Sequence, residues 1–370
     1  MVIRGNKEDS LLLQMSLFGK RMEIKAYLIC MLGIAMVSGI GLDSDAESGY
    51  LRSHHTENGF RNIDSGNSRG FIDFLKWQWE RFRSNRPNRE PPQFQLYRNN
   101  PASLKSNNTR PSITWIGHAT VLMQLNGKNI LTDPQFSERA SPVQFAGPKR
   151  VIQPGIALED LPPIDFVLIS HDHYDSLDTE SVKRLRRRHN GADTVFFVPL
   201  GLKKWFHDVG VTNVIEMDWW DTRIVDHLEI ICVPVHHWSQ RVPFVRNKTL
   251  WSGWVVRDES FKFLFSGDSG YTPLFKEIGK RLGPFDLAAI PIGAYEPRWF
   301  MGPHHISPEE AVQVHQDVRS KKSVGIHWGT FVLSDEPLDE PPRKLEEAKK
   351  EKGIRSDEFI VLQHGETLWL

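Results

Sequence analysis

At 370 residues the chain is long enough for one large domain or two small ones, and its 39% hydrophobic and 25% charged residues are ordinary for a soluble globular protein. Its 46 basic and 46 acidic side chains cancel, which leaves no net field to draw nucleic acid or an acidic polymer. The two cysteines, Cys30 and Cys232, exclude a disulfide framework and a cysteine-rich metal site. Fifteen His and twelve Trp point elsewhere: imidazole is the commonest neutral metal ligand, and indole suits surfaces apolar at one end and wet at the other.

The first feature along the chain is the apolar run Ala26 to Leu42, behind Lys20, Arg21 and Lys25. It is short for a relaxed bilayer span and right for the core of a signal peptide, with Ser44 and Ala46 as small residues for cleavage. Residues 1–46 therefore read as a signal peptide or an uncleaved anchor, with a buried core helix as the third reading. Either of the first two puts the remainder outside the cytoplasm or against a membrane. The polar stretch that follows, rich in Ser, Gly, Asn and Asp to about Gly70, has no periodicity and reads as a linker over 47–70. Phe71 to Arg83 then sets Ile72, Leu75, Trp79 and Phe82 at helical spacing, with Lys76, Arg81 and Arg83 elsewhere on the turn. Such a helix lies in a bilayer interface or docks on its own domain. It opens an N-terminal extension over 71–110.

Beyond Pro111, short β-branched runs alternate with amphipathic ones. SITWIG, VLMQL, KNILTD, DFVLIS, TVFFVP, NVIEMD, LEIICVPV, WSGWVV, FKFLFSG, LAAIPI and SVGIHW read as strands. Helical patterns surround Glu180–Arg188, Phe275–Leu282, Pro308–Arg319 and Pro342–Lys350. Many strands with helices between them predict an α+β chain whose domain, residues 111–370, is an αββα sandwich.

Chemistry sits where buried strands end. The run FVLIS is apolar up to its serine and is followed by His171, Asp172, His173, Tyr174 and Asp175. Residues two apart on an extended chain point the same way, so His171, His173 and Asp175 can converge. Two imidazoles and a carboxylate at one strand end suit zinc, which takes nitrogen and oxygen ligands at short distance. Three further strand ends, VPVHHW, FLFSGDSG and SVGIHWGT, each release a His or an Asp. His236 and His237 face opposite ways on a strand, so one of them enters a shared site. Asp268 stands between Gly267 and Gly270, which let the backbone turn closely.

The order His-x-His-x-Asp, His, Asp, His resembles the metallo-β-lactamase superfamily. Longer stretches, TWIGHAT, LTDPQFSERASP, LPPIDFVLISHDHYDSLD, GDSGYTPLFKEIGKRLGPFDLAAIPIGAYEPRWFM and KKSVGIHWGTF, resemble its N-acylphosphatidylethanolamine-hydrolysing phospholipase D family. The likeness covers over two-thirds of the chain and leaves out the first seventy residues. It implies the metallo-β-lactamase form of the sandwich and two zinc ions. His171, His173 and His237 would hold one, Asp175 and His327 the other, and Asp268 would bridge them and share in catalysis. Where the family pattern continues with a further His, this chain has Ser176. A hydroxyl is a poor neutral zinc donor beside an imidazole, so the second ion is expected to bind more weakly.

By the same resemblance His305 lies near the substrate pocket as a further catalytic candidate, while His304 has no counterpart. Asp133 is expected to accept the ring N–H of a ligating histidine and fix its tautomer. His118 does similar work or is a core histidine; both readings stay open. The implied reaction cleaves N-acylphosphatidylethanolamine to N-acylethanolamine and phosphatidic acid. Its partners would be a phospholipid substrate and a membrane surface, without nucleic acid and with room for a homodimer. Another hydrolase of the superfamily, such as a lactonase or another phosphodiesterase, would share every metal ligand. A lipid-binding protein whose site decayed at Ser176 is the non-enzyme alternative.

Overall fold

The computed structural model describes residues 53–63, 69–84 and 92–370. The apolar run Ala26 to Leu42, and with it the signal or anchor reading, lies outside them. Among the described residues no helix is long and apolar enough to cross a membrane.

Within the stretch read as a linker the structure places a hairpin, β1 (His55–Thr56) and β2 (Gly59–Phe60), and docks it on the domain. His54 is buried and stacks on Trp219, with ring centroids 4.2 Å apart. Its Nε2 lies 2.6 Å from Asp218 Oδ1, and His55 Nε2 lies 2.8 Å from Oδ2. These contacts use imidazole and carboxylate groups, so no apolar periodicity betrays them.

Helix α1 (Phe71–Arg83) forms where the spacing predicts it. Trp77, opposite the predicted stripe, is the residue that docks it. The indole is buried, stacks on Phe300 at 4.9 Å and donates to Asp335 Oδ2 at 2.9 Å. Arg81 Nε sits 3.1 Å from the other oxygen of that carboxylate. The stripe itself faces water, with Ile72 81%, Trp79 59% and Phe82 72% exposed. The helix is therefore both anchored to the domain and apolar outward. Helix α2 (Pro101–Ser106) buries Leu104, and Tyr97 N–H bonds to the His364 carbonyl at 2.9 Å. The packed unit thus begins ahead of Pro111.

Two seven-stranded sheets follow. The first takes β3 (Ser112–Gly117), β4 (Thr120–Leu125), β5 (Lys128–Thr132), β6 (Phe166–Leu168), β7 (Val195–Pro199) and β8 (Val214–Met217). The second takes β9 (Thr222–Val225), β10 (Leu228–Val233), β11 (Gly253–Arg257), β12 (Lys262–Phe265), β13 (Leu287–Pro291), β14 (Ser323–Ile326) and β15 (Phe359–Val361). The last strand, β16 (Thr367–Trp369), returns to the first sheet beside β3. Each sheet is antiparallel at one side and parallel at the other: β5 to β8 in the first, β12 to β15 in the second.

Alternation builds the layers. Phe166 and Leu168 of β6 join the core between the sheets, while Val167 joins the outer one; Phe197 of β7 points inward and Phe196 and Val198 outward. Strands buried on both faces read as unbroken apolar runs. Helices α3 (Thr179–Arg187) and α4 (Lys203–Asp208) cover the first sheet through Val182, Leu185 and Phe206. The second is covered by α5 (Leu274–Arg281), by α7 (Pro308–Asp317), which follows the one-turn α6 (Arg298–Met301), and by α8 (Glu340–Lys352). The expected αββα sandwich is the fold observed. Trp254 Nε1 donates to the Ile169 carbonyl at 2.8 Å and Ser252 N–H to the Ser170 carbonyl at 2.9 Å, tying the sheets together beside the strand ends.

Because α1 hangs on Trp77 and Asp335, Trp77→Ala is expected to remove roughly 3–5 kcal/mol of packing and to free this helix alone. Limited proteolysis should then cut within residues 69–84 much faster, while the midpoint of thermal unfolding of the sandwich moves by no more than a few degrees.

Candidate metal centre

The carboxyl ends of the parallel strands lie at one edge, and the loops leaving them converge there. After β6 come His171, His173 and Asp175; after β12, Asp268; after β14, His327; and β10 leads to His237. The close turn at Gly267 is required: its φ is +61°, and a Cβ there would lie 2.6 Å from Ser170 Cβ. The structure thus brings together every residue assigned to the site from sequence. His236, as alternation requires, leaves the shared point to His237 and faces His304, with ring centroids 6.5 Å apart.

Three imidazoles form one group. His171 Nε2 is 2.8 Å from His173 Nδ1, which is 3.2 Å from His237 Nε2. The tautomers of the outer two are set from behind. Ser170 N–H donates to Asp133 Oδ1 at 2.7 Å and Ser170 Oγ to Oδ2 at 2.5 Å, so the hydroxyl oxygen accepts from His171 Nδ1 at 2.8 Å. His237 Nδ1 donates to the His304 carbonyl at 3.0 Å. Both Nε2 atoms therefore turn unprotonated lone pairs toward the same point. Asp133, expected to accept directly from a ligating histidine, acts one bond further back, through Ser170.

Two carboxylates and two more imidazoles adjoin this group. Asp268 is buried, and neither of its oxygens accepts a well-formed hydrogen bond among the described residues. His171 Nε2 lies 3.9 Å and His327 Nε2 3.1 Å from its Oδ2. Asp175 Oδ2 lies 3.6 Å from His327 Nε2 and 3.2 Å from His118 Nε2. His118 is thus part of the site rather than of the general core. Ser176, which follows Asp175 in the chain, is buried, and its hydroxyl makes no hydrogen bond of good geometry among the described residues. His305 groups with His237 and Asp268, their nearest ring nitrogens and carboxylate oxygens all within 4.8 Å of one another.

Burial and the neighbouring His171 hold His173 to about 4, and burial holds His305 likewise to about 4. Burial also lowers His171 and, further, His237. These rings are neutral at neutral pH. For Asp268, burial opposes ionisation, but the field of His327 outweighs it and keeps the carboxyl well below its ordinary range. His327 is the exception among the imidazoles: burial disfavours its charge, yet Asp268 and Asp175 raise it to about 10.

The residues fit a divalent cation. Ring nitrogens of three buried imidazoles meet at 2.8–3.2 Å, two of them with lone pairs fixed toward that point, beside the buried carboxylate of Asp268, and nitrogen and oxygen donors so gathered suit a metal ion. His171, His173, His237 and Asp268 would hold one ion, and Asp175, Asp268 and His327 a second.

Several supporting residues carry no ligand signature in the sequence. Arg241 donates to the Asp172 and Leu177 carbonyls at 2.9 and 2.7 Å, and Asp172 accepts from Gln240 N–H at 2.8 Å and Thr249 Oγ1 at 3.0 Å, locking the His-rich loop to the second sheet. Asn62, from the presumed linker, donates to the His237 carbonyl at 2.8 Å. The run IPIGAYEPRWFM is scaffold. Glu336 accepts from the N–H groups of Ala294 and Glu296 at 2.6 and 3.0 Å, and Arg298 bridges the His305 carbonyl (2.9 Å) to Glu310 (2.7 Å).

Stripping metal with a chelator should lower thermal stability, since a ligand held at about 100 times its Kd contributes roughly 2.7 kcal/mol, or roughly 5 °C in a domain of this size. Adding divalent metal back should restore it. Asp268→Asn should abolish the metal-dependent rise; an undiminished rise in that variant would remove Asp268 from the ligand set.

A model of the beta-lactamase superfamily domain matches residues 128–328. The chain is 47% identical over 268 residues to N-acyl-phosphatidylethanolamine-hydrolyzing phospholipase D 1 of Caenorhabditis elegans, covering 69% of this chain and 74% of that protein. It is 38% identical over 241 residues to the mitochondrial N-acyl-phosphatidylethanolamine-hydrolyzing phospholipase D of Saccharomyces cerevisiae, covering 63% of this chain and 50% of that one. Among solved structures, a metallo hydrolase from Ignicoccus hospitalis matches at a TM-score of 0.54 and 20% identity, covering 71% of this chain and 99% of that one, a likeness of fold alone. The chain is a metal-dependent hydrolase and belongs to the N-acylphosphatidylethanolamine-hydrolysing phospholipase D family of the metallo-β-lactamase superfamily.

Proposed function

We propose that this chain is a zinc-dependent phosphodiesterase of phospholipase D type, cleaving N-acylphosphatidylethanolamine to N-acylethanolamine and phosphatidic acid. The observation behind it is the 47% identity to the worm enzyme of that name. The donor set favours zinc among divalent ions, since three imidazoles with a shared carboxylate suit a borderline-soft cation better than a hard one. When bound, zinc supplies Lewis acidity toward phosphate oxygens and lowers the pKa of water toward neutrality.

The chain's own residues would do the rest. Asp268, kept ionised, stands between the two ligand groups and fixes their spacing. His305 is neutral, with ring centroids 5.3 Å from His237 and 5.5 Å from His327, and its buried Nδ1 has no hydrogen-bond partner among the described residues. It is placed to hold a phosphate oxygen or the departing alkoxide by one hydrogen bond, and Arg298 keeps its loop in position.

A lipid substrate also explains the outward face of α1. Phe71 meets Phe244, 77% exposed, at 6.5 Å, extending the apolar stripe onto the loop that follows Trp238. Trp238 in turn sits edge-on to His173 at 4.4 Å. An apolar surface beside the metal groups, edged by Lys76 and Arg83, is suited to the acyl and headgroup boundary of a bilayer. In this reading the N-terminal apolar run brings the enzyme to a membrane or across it.

Mass spectrometry of the products tests the bond: phosphatidic acid and N-acylethanolamine are expected, whereas diacylglycerol or free fatty acid would place cleavage elsewhere. Replacing Ile72, Trp79 and Phe82 together by Ala should weaken liposome binding by roughly 100-fold or more, each apolar side chain contributing about 1.5–3 kcal/mol when fully buried. Hydrolysis of a soluble short-chain substrate should be unchanged. Equal loss on both substrates would make the stripe structural.

A further inference from the structure

We infer that His118 is a ligand of the second metal ion, filling the coordination place at which Ser176 offers no imidazole. The inference rests on the dinuclear reading above and assigns a residue that the strand-end pattern does not include. His118 lies in the two-residue turn between β3 and β4. It comes from the sheet that supplies Asp175, across the centre from Asp268 and His327.

Zinc bonds of about 2.0–2.1 Å in a tetrahedron set ligand atoms about 3.3 Å apart. Around the second position the separations are 3.2 Å for His118 Nε2 to Asp175 Oδ2, 3.6 Å for His327 Nε2 to that oxygen, and 3.1 Å for His327 Nε2 to Asp268 Oδ2. The ring nitrogens and carboxylate oxygen of His118, Asp175 and His327 fall within 4.8 Å of one another. His118 and His327 also face each other with ring centroids 3.9 Å apart.

The backbone is built to hold the ring there. His118 has a φ of +53°, a conformation that L-residues rarely adopt. Its N–H donates to Thr330 Oγ1 at 2.9 Å. Its carbonyl accepts from Trp115 Nε1 at 2.9 Å and from His327 N–H at 2.9 Å, so the turns bearing the two imidazoles are joined directly. His327 has a positive φ as well, +61°. Strained residues held by surrounding bonds are common where a site must be pre-organised. Ser176 offers nothing comparable, with a short side chain and a hydroxyl that is a weak neutral donor to zinc.

The test is zinc uptake by the metal-free full-length protein, titrated against a chromophoric chelator, with cobalt(II) absorption as a second readout. Wild type should load in two steps. His118→Ala should leave the first step within a few-fold and weaken the second by more than about 100-fold, beyond the roughly 10–100-fold that loss of an orienting partner costs. The cobalt band of the second equivalent should change with it. His118→Gln keeps a donor for Asp175 but no imidazole and should behave as His118→Ala. The double variant His118→Ala, Ser176→His should regain the second step. A wild type that loads in one step overturns the dinuclear reading and this inference with it. Two-step loading that survives His118→Ala, or survives His118→Gln, overturns the inference alone, because His118 would then serve by hydrogen bonding or not at all.

Discussion

His171 Nε2, His173 Nδ1 and His237 Nε2 meet within 2.8–3.2 Å at a buried point beside Asp268, and the remainder of the fold serves to hold them there. Bringing this many polar atoms to one place away from water is costly unless hydrogen bonds or a cation satisfy them. The fold supplies the rigidity that keeps these groups from relaxing apart. Asp133 and Ser170 fix the tautomer of one ring, and the His304 carbonyl fixes that of another.

Neither sheet could make the centre alone. The first contributes His118, His171, His173 and Asp175; the second contributes His237, Asp268 and His327. Their relative position is set by ties immediately behind the ligands, Trp254 to Ile169 and Ser252 to Ser170, and by Asp172, which reaches Gln240 and Thr249. Charge follows from the same closure. Burial favours the neutral form of most of the imidazoles, while Asp268 and Asp175 raise His327 above its ordinary range.

What the amino-acid sequence made legible was the part governed by local rules. Apolar runs ending in His or Asp located the centre, because a strand buried on both faces changes character abruptly where it leaves the core. Elements lacking such contrast stayed hidden. β9 is a short edge strand with Arg223 in it and Ile224 75% exposed, and β15 and β16 are three residues each. The hairpin at His55–Phe60 docks by polar contacts that only the folded partner, Asp218, reveals. Ser170, Asn62 and the His304 carbonyl act through long-range hydrogen bonds that no spacing encodes. The place of His118 beside Asp175 was likewise set by the pairing of β3 with β4 and by its bond to the His327 turn.

Helix α1 has a consequence in water. A protein that turns Phe71, Ile72, Trp79, Phe82 and Phe244 outward keeps a contiguous greasy area wet whenever no lipid is at hand. Colloidal behaviour follows: as concentration rises, molecules can shelter this area against one another, so self-association and attachment to a bilayer compete for one surface. The net charge of zero gives little long-range repulsion to oppose such clustering. Dilution or lipid would then dissolve the clusters, and detergent would do so by occupying the same residues.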